Sequence, residues 1–192
     1  LLRSLVGSEM CIRDSTSPKQ RVLSMDSSLS IGYLADHPEW VEELANQHWE
    51  EWRDLVAKWG LTQASEELWE HTKNRQGIPT TIVAFDEDLL LGSVSLEVYD
   101  YQQIQQYSPW LTSLWVMPFA RHRGLGTYLV RRIVHEAACL KIPHLHLLTL
   151  DHTTFYEKLG WNLLELGYFE DNEIYIMSII PEHLSEEELG FH

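Results

Sequence analysis

A strand, a loop with two glycines and a helix follow one another in residues 114–127, and this segment constrains the fold more than any other. Gly124 and Gly126 let the backbone approach a ligand closely, and the N–H groups at a helix start, together with the helix dipole, attract phosphate. Arg121 and Arg123 add positive charge in a chain whose formal net charge is −15. The segment therefore predicts a phosphate-binding turn, with an ordinary strand-to-helix turn and solvated arginines as the alternative.

Two other phosphate motifs do not match this turn. A P-loop needs Lys followed by Ser or Thr after the glycines, and a dinucleotide fingerprint needs a third glycine. Neither feature is present in residues 121–127. The turn is therefore of another type.

Apolar periodicity predicts strands and helices in a mixed order around this turn. Strands are predicted at residues 29–36, 80–85, 89–98, 110–117, 144–150, 161–166 and 174–180. Helices are predicted after Pro38 with Asp36 as N-cap, from about residue 62, at 124–140 and at 151–159. The tail from residue 181, with its four glutamates, is expected to be loosely held.

The turn, Arg121-His-Arg-Gly-Leu-Gly126, resembles the acetyl-CoA motif Arg/Gln-x-x-Gly-x-Gly/Ala of the GCN5-related N-acetyltransferase (GNAT) superfamily. A second segment, Asp151 to Trp161, is similar to the Phe-Tyr-x-x-x-Gly-Phe/Tyr/Trp element that follows the fifth strand in this family. The resemblance covers roughly residues 31–180, and the order of elements agrees. It implies an α/β (α+β) fold: one domain over residues 25–192, with a mixed, mostly antiparallel sheet of six or seven strands, flanked by helices and splayed between strands 4 and 5.

The resemblance also implies acetyl-CoA as co-substrate and no metal. Backbone groups of Leu114 and Val116 would pair with the pantetheine arm and polarise the thioester carbonyl, while Arg121 would add charge-assisted contacts to the pyrophosphate. Asp151 would contact the cofactor or cap the short helix, and the N-cap role is preferred. The expected cofactor-binding residues are Leu114, Trp115, Val116, Arg121, His122, Arg123, Gly124, Leu125, Gly126, Thr127 and Asp151.

Two catalytic roles follow from the same resemblance and from the chemistry of acetyl transfer to an amine. Tyr156 would be the general acid that protonates the departing thiolate, with a packed aromatic as the alternative. Glu97 is the first choice for the general base, because a carboxylate also attracts a cationic amine; Ser113, as a water holder, and His146 are the alternatives. Residues expected to line the acceptor pocket are Trp49, Trp52, Tyr99, Asp100 and Tyr101.

The distribution of charge suggests the acceptor. Residues 36–74 carry ten acidic and three basic residues, about half of the excess negative charge. This favours a small cationic amine, such as an aminoglycoside or a polyamine, and disfavours nucleic acid and anionic membranes as partners. A protein or peptide N-terminus is an alternative acceptor, since the later element is similar to the branch that contains the eukaryotic actin N-terminal acetyltransferase. A non-catalytic acyl-CoA sensor is a second alternative.

The histidines raise the question of a metal site. His144 and His146 share one face of a predicted strand and His152 follows six residues later, so a metal site among them is geometrically conceivable. No further ligand except Asp151 stands at a recognised spacing, and the prediction is therefore partly buried histidines without a metal.

Cys11 and Cys139, the two cysteines, form no disulfide framework, which favours a reducing, cytoplasmic setting. Residues 1–24 match no structural pattern and are interpreted as a non-native or disordered leader before Met25. A homodimer is left open.

Overall fold

The computed structural model describes residues 29–56, 59–75, 77–99, 104, 106–169 and 172–189. The predicted leader, residues 1–24, lies outside these ranges. Within them, every helix is too short or too polar to cross a lipid bilayer.

Seven β-strands form the centre of the fold, with the bounds Leu29–Tyr33 (β1), Thr80–Asp86 (β2), Leu89–Glu97 (β3), Trp110–Val116 (β4), Leu145–Thr149 (β5), Asn162–Phe169 (β6) and Asn172–Ile179 (β7). They make one sheet in the order β1-β2-β3-β4-β5-β7-β6. All neighbours are antiparallel except β4 and β5, which are parallel. The predicted mixed, mostly antiparallel sheet is confirmed.

The helices cover both faces of this sheet, with the bounds Val41–Trp52 (α1), Leu61–His71 (α2), Leu125–Cys139 (α3), Thr153–Glu157 (α4) and Glu186–Leu189 (α5). One apolar cluster joins α1 and α2 to one face, and a second joins α3 and α4 to the other. The side chains of β3 alternate between the two: Val94 and Leu96 belong to the α3 cluster, whereas Ser93 and Ser95 are buried on the α1–α2 side.

The split between β4 and β5 is the main irregularity of the sheet. A single residue pair joins the two strands, Trp110 with His146, and the His146 N–H donates to Pro109 O at 3.1 Å. No further pair forms toward Val116 and Thr149 among the described residues. The expected splay between strands 4 and 5 is therefore present, and it opens toward the carboxyl ends of both strands.

A β-bulge lies in β4 beside this split. The pairing of β3 with β4 shifts by one residue between Ser93 and Ser95, and Ser113 adopts a φ of 51°. Such a left-handed conformation is unfavourable for a residue with a side chain, and a bulge redirects the backbone groups around it. The middle of β4 is therefore shaped differently from a regular strand.

Three expectations about chain segments need correction. Asp36 does not cap α1, which begins only at Val41 after two short 3₁₀ turns; its carboxylate pairs with Arg75 at 2.9 Å. Asp151 does not cap α4, whose N-cap position is His152. The C-terminal tail was expected to be loosely held, but α5 packs on α3, and Leu189 at the end of α5 is only 4% exposed.

Candidate functional site

A cleft of about 360 Å³ lies at the carboxyl end of β4, beside the split in the sheet. It is lined by Leu114, Trp115, Val116, Arg121, His122, Gly124, Gly126, Thr127, His152 and Phe155. Of the predicted cofactor-binding residues, only Arg123, Leu125 and Asp151 are outside this lining. Leu125 is buried in the α3 core, whereas Arg123 and Asp151 are exposed.

The glycine turn has the backbone geometry of an anion site. Gly124 has a φ of 88° and is the N-cap of α3, so no side chain caps the first N–H groups of this 15-residue helix. A side chain at this position would be strained. The positive end of the helix dipole and the uncapped N–H groups therefore face the cleft wall formed by Gly126 and Thr127.

Arg121 lines the cleft but has protein partners of its own. Its Nε donates to Val116 O at 2.9 Å, and its Nη2 donates to Glu51 Oε2 at 3.0 Å. The guanidinium thus ties α1 to the loop after β4. Glu51 was not among the predicted site residues, because it lies 70 residues before its partner and nothing in the local sequence indicates the pair.

Buried polar atoms without a partner flank the split on both sides. The hydroxyls of Thr112 and Ser113 on β4, the hydroxyl of Tyr156 on α4 and the indole N–H of Trp161 are buried and unpaired in the described part of the chain. Leaving such a group unsatisfied costs about 1–3 kcal/mol. Thr80 Oγ1 on β2 is in the same state, so such atoms are not confined to the split, but Ser113 and Tyr156 directly adjoin the cleft residues Leu114 and Phe155 in the chain.

Tyr156 is entirely buried and packs edge-to-face against Phe155 and Trp161, with ring centroids 5.0 and 5.9 Å away. It belongs to the same apolar cluster as Leu114, while its neighbour Phe155 lines the cleft. Burial raises the pKa of the Tyr156 phenol, so the hydroxyl stays protonated at physiological pH. Among the residues that the structure describes, this donor has no acceptor.

A buried polar chain on the α1–α2 side of the sheet surrounds Glu97. His71, at the end of α2, is 2% exposed; its Nε2 lies 3.4 Å from Glu97 Oε1 and its Nδ1 lies 2.6 Å from Thr81 Oγ1. Thr81 in turn contacts Ser95 Oγ at 2.7 Å. Glu97 is thus a held, partly buried carboxylate rather than a free surface residue.

A second buried histidine, His48 on α1, lies 3.0 Å from Ser93 Oγ, and this hydroxyl donates to Ser113 O at 3.4 Å. Helix α1 therefore reaches the bulge of β4 through Ser93. Neither His48 nor His71 was predicted as a site residue. The sequence contains one indication of them, because Ser93 and Ser95 alternate with apolar residues along β3. Buried serines on a sheet face need polar partners from the covering helices.

His146, an alternative base in the sequence analysis, closes the paired end of the split. It is 7% exposed, its Nδ1–H donates to Pro109 O at 3.1 Å, and its ring stacks on Tyr107 with centroids 5.2 Å apart. Tyr107 donates to Glu165 Oε2 at 2.7 Å. Burial lowers the pKa of His146, so the imidazole is neutral in the folded protein near neutral pH.

Three of the residues predicted to line the acceptor pocket lie within the described ranges, and they differ in burial. Trp52 is fully buried in the core, which corrects its expected place in a pocket wall. Trp49 is half-buried, with the Arg53 guanidinium 5.0 Å from its ring centroid, and Tyr99 is exposed. Asp100 and Tyr101 lie outside the described residues.

The histidines weighed as metal ligands are not grouped. In the described ranges, one group of side chains could hold a metal ion, formed by His135, Cys139 and His183. His144, His146 and His152 are not part of it.

Comparison with protein families identifies the family of the chain. Residues 41–161 match the acetyltransferase (GNAT) family. The chain belongs to this family: it is an acetyltransferase, and acetyl-CoA is the acyl donor that membership implies. Among curated proteins, no sequence matches the chain.

Solved structures of acetyltransferases share the fold. An aminoglycoside 6'-acetyltransferase type Ii superposes with a TM-score of 0.62 at 22% identity, covering 81% of this chain and 99% of that one. An aminoglycoside 6'-N-acetyltransferase in complex with coenzyme A gives 0.61 at 19% identity, covering 82% and 99%. A spermidine N-acetyltransferase variant from Vibrio cholerae gives 0.57 at 16% identity, covering 81% and 95%.

The lowered pKa of His146 predicts a pH dependence of stability. A histidine whose folded pKa is depressed binds fewer protons in the folded state, so its contribution to the free energy of unfolding is lost as the pH falls below about 6.5. Asparagine cannot titrate and can replace the Nδ1–H donor. His146→Asn should therefore flatten the acid side of the stability profile, measured by urea unfolding at a series of pH values.

The matched control is His144→Asn, which removes an exposed histidine of the same segment and should change the profile much less, since its charge is the smallest of the influences on the His146 pKa. Parallel profiles for wild type and His146→Asn would show that His146 is not the titrating group.

Proposed function

We propose that this protein transfers the acetyl group of acetyl-CoA to a primary amine of a small cationic molecule, of the aminoglycoside or polyamine type, by direct attack within a ternary complex. The observation that carries the proposal is the split between β4 and β5, which ends at the uncapped start of α3. That arrangement combines an unpaired strand edge with an anion site.

The donor-binding part of the proposal rests on backbone groups. Beyond Trp110, the edge of β4 has no strand partner among the described residues, so its N–H and C=O groups are available to the amides of pantetheine. Leu114 lies next to the bulge and lines the cleft. Val116 O already accepts from Arg121, which leaves Leu114 as the better candidate for polarising the thioester.

The pyrophosphate would bind at the N–H groups of residues 124–127. Arg121 is engaged by Glu51 and Val116, so its role there is to hold the turn as much as to contact phosphate. Arg123 is exposed and has no ion pair within the described residues. It is the cation without a competing partner in the described residues, and it would have to turn toward the cleft, because it lies outside the lining.

The chemical step needs an acid and a base. The amine nitrogen attacks the thioester carbon, the C–S bond breaks, the nitrogen releases its second proton to water as the amide forms, and the thiolate takes the proton of the Tyr156 hydroxyl. Because that hydroxyl lies outside the cleft lining, the proposal requires the thioester to reach into the cluster of Leu114 and Tyr156. The phenol later regains its proton from solvent.

Glu97 is proposed as the base that takes the proton of the acceptor ammonium, through a water molecule. It lies on the α1–α2 side of the sheet and pairs across the strands with Trp110, next to the paired end of the split. His71 holds its carboxylate and is itself fixed by Thr81. Because the Glu97 side chain is already held in place, it can accept a proton without a change of side-chain conformation.

The acidity of the α1–α2 hairpin supports a cationic acceptor less strongly than the sequence suggested. Many of its carboxylates have protein partners: Glu42 accepts from Ser65 and Trp69, Glu67 accepts from Trp59, and Glu51 pairs with Arg121. The donors to Glu42 and Glu67 are neutral, so these two carboxylates keep their negative charge, as do Glu43, Asp54 and Glu66, which have no such contact in the described ranges.

Tyr156→Phe should lower kcat by about 10²–10⁴-fold, the usual contribution of a general acid, while the KM for acetyl-CoA stays unchanged. The free energy of unfolding should not fall, since the hydroxyl removed has no partner. Thiol release at saturating substrates measures kcat. Tyr168→Phe, the same change at an exposed position, is the control, and equal kcat values for the two variants would assign Tyr156 to packing alone.

Glu97→Gln should lower kcat/KM by about 10²-fold or more and remove the acid limb of the pH–rate profile, because the base that titrates there is gone. Glu187→Gln, at an exposed carboxylate of α5, should retain both. A variant that is less stable but keeps the acid limb would limit Glu97 to a structural partnership with His71.

A panel of amines tests the acceptor class. Polyamines and aminoglycosides should give kcat/KM values at least about tenfold above those of neutral amino acids and acidic peptides, and added salt should reduce the difference, because both effects follow from electrostatic attraction. Equal rates across the panel would contradict the charge argument. A preference for peptide N-termini would favour that alternative, and acetyl-CoA binding without turnover of any amine would indicate a sensor.

A further inference from the structure

Three side chains of types that can bind transition metals, two histidines and a cysteine, lie close together at the C-terminal end of α3. This end is about 20 Å along the helix from the glycine turn. His135 and Cys139 lie one helical turn apart, and His183 comes from the segment after β7. Cys139 Sγ is 3.5 Å from His135 Nε2 and 3.8 Å from His183 Nδ1, and the three atoms all lie within 4.8 Å of one another.

These separations match those of ligands around one tetrahedral ion. With Zn–S near 2.3 Å and Zn–N near 2.0–2.1 Å, a sulfur and a nitrogen ligand of the same ion stand about 3.5 Å apart. The two S···N distances, 3.5 and 3.8 Å, are equal to this value and slightly above it. We propose that His135, Cys139 and His183 form a binding site for a divalent transition-metal ion of the Zn²⁺ type, with the fourth position open to water.

The chemistry of the three ligands selects the class of ion. A thiolate with two imidazoles favours Zn²⁺ and related ions over Mg²⁺ and Ca²⁺, which prefer oxygen ligands. Binding converts the Cys139 thiol to a thiolate and releases its proton to solvent, while both histidines bind as neutral imidazoles. The formal net charge of −15 also favours the uptake of a cation.

One hydrogen bond must change for the ion to bind. The Leu184 N–H donates to His135 Nδ1 at 3.0 Å, whereas an imidazole that binds metal through Nε2 carries its proton on Nδ1. Leu184 directly follows the ligand His183, so closure of His183 on the ion moves the same stretch of backbone. The ion would thereby replace the hydrogen bond between Leu184 and His135 by metal–ligand bonds that join His183 to α3, and these are stronger.

The consequence of this site is attachment of the C-terminal segment to α3. In the described residues, two other contacts attach that segment to the helix. Leu189 is buried, and Arg131 Nη1 donates a hydrogen bond to Glu188 O at 3.3 Å. A metal bridge would tie residue 183 to the helix end independently of these contacts. The role is structural, and it does not depend on the proposed acetyl acceptor or on the catalytic residues.

Titration of the metal-free full chain with Co²⁺ tests the site, because a cysteine thiolate bound to Co²⁺ gives a charge-transfer band in the near ultraviolet. We expect the band to saturate at one equivalent. Cys139→Ser should abolish it, and His183→Gln should weaken the Kd for Co²⁺ by about tenfold or more. Zn²⁺ should raise the Tm of the wild type and of neither variant.

Cys11→Ser is the matched control, since it makes the same change at the other cysteine, and His144→Gln is the control for loss of an exposed histidine. Both should keep the band and the rise in Tm. The proposal is overturned if wild type gives no band with excess Co²⁺, if Cys139→Ser keeps it, or if Cys11→Ser loses it. Acetyl transfer is measured in parallel, and its loss or retention bears only on the proposed function.

Discussion

The single backbone contact between β4 and β5 is the constraint on which the rest of the structure depends. Two adjacent parallel strands normally satisfy each other along their length, but here Trp110 and His146 are the one pair, and the strands separate beyond it. The exposed edge of β4 must then be satisfied by water or by a ligand. The cleft is lined by Leu114 to Val116 on β4 and by Gly126 and Thr127 at the start of α3, so the unpaired strand and the first turn of the helix border one cleft.

Helices packed on the two faces of the sheet bound this split. On one side α3 belongs to an apolar cluster that includes β4 and β5 residues, and on the other α1 and α2 cover a polar row of β3 with His48 and His71. Arg121 joins the sides, since it bonds β4 at Val116 and α1 at Glu51. The cleft is therefore bounded by elements that are each held by buried contacts.

The sequence predicted those parts of this arrangement whose residues lie close together along the chain. The glycine turn and the order of strands and helices along the chain follow from local patterns, and the family match confirms the fold that they imply. The partner of Arg121 and the grouping of His183 with α3 involve residues 70 and 44 positions apart, so no local pattern contains them. Trp52 was misplaced for a related reason: helical spacing indicates an apolar face but not whether a pocket borders it. The roles of Tyr156 and Glu97 stay predictions.

The unpaired polar atoms beside the split bear on why this region has the residues it has. Thr112, Ser113, Tyr156 and Trp161 each bury a donor without a partner, at a cost of about 1–3 kcal/mol per group. Valine, alanine and phenylalanine would fill similar volumes at the first three positions without that cost, and a core serving stability alone would favour them. Ser113 and Tyr156 directly adjoin the cleft residues Leu114 and Phe155 in the chain. Unpaired groups of this kind are expected where a polar substrate supplies the missing acceptors and where one hydroxyl has a proton to give.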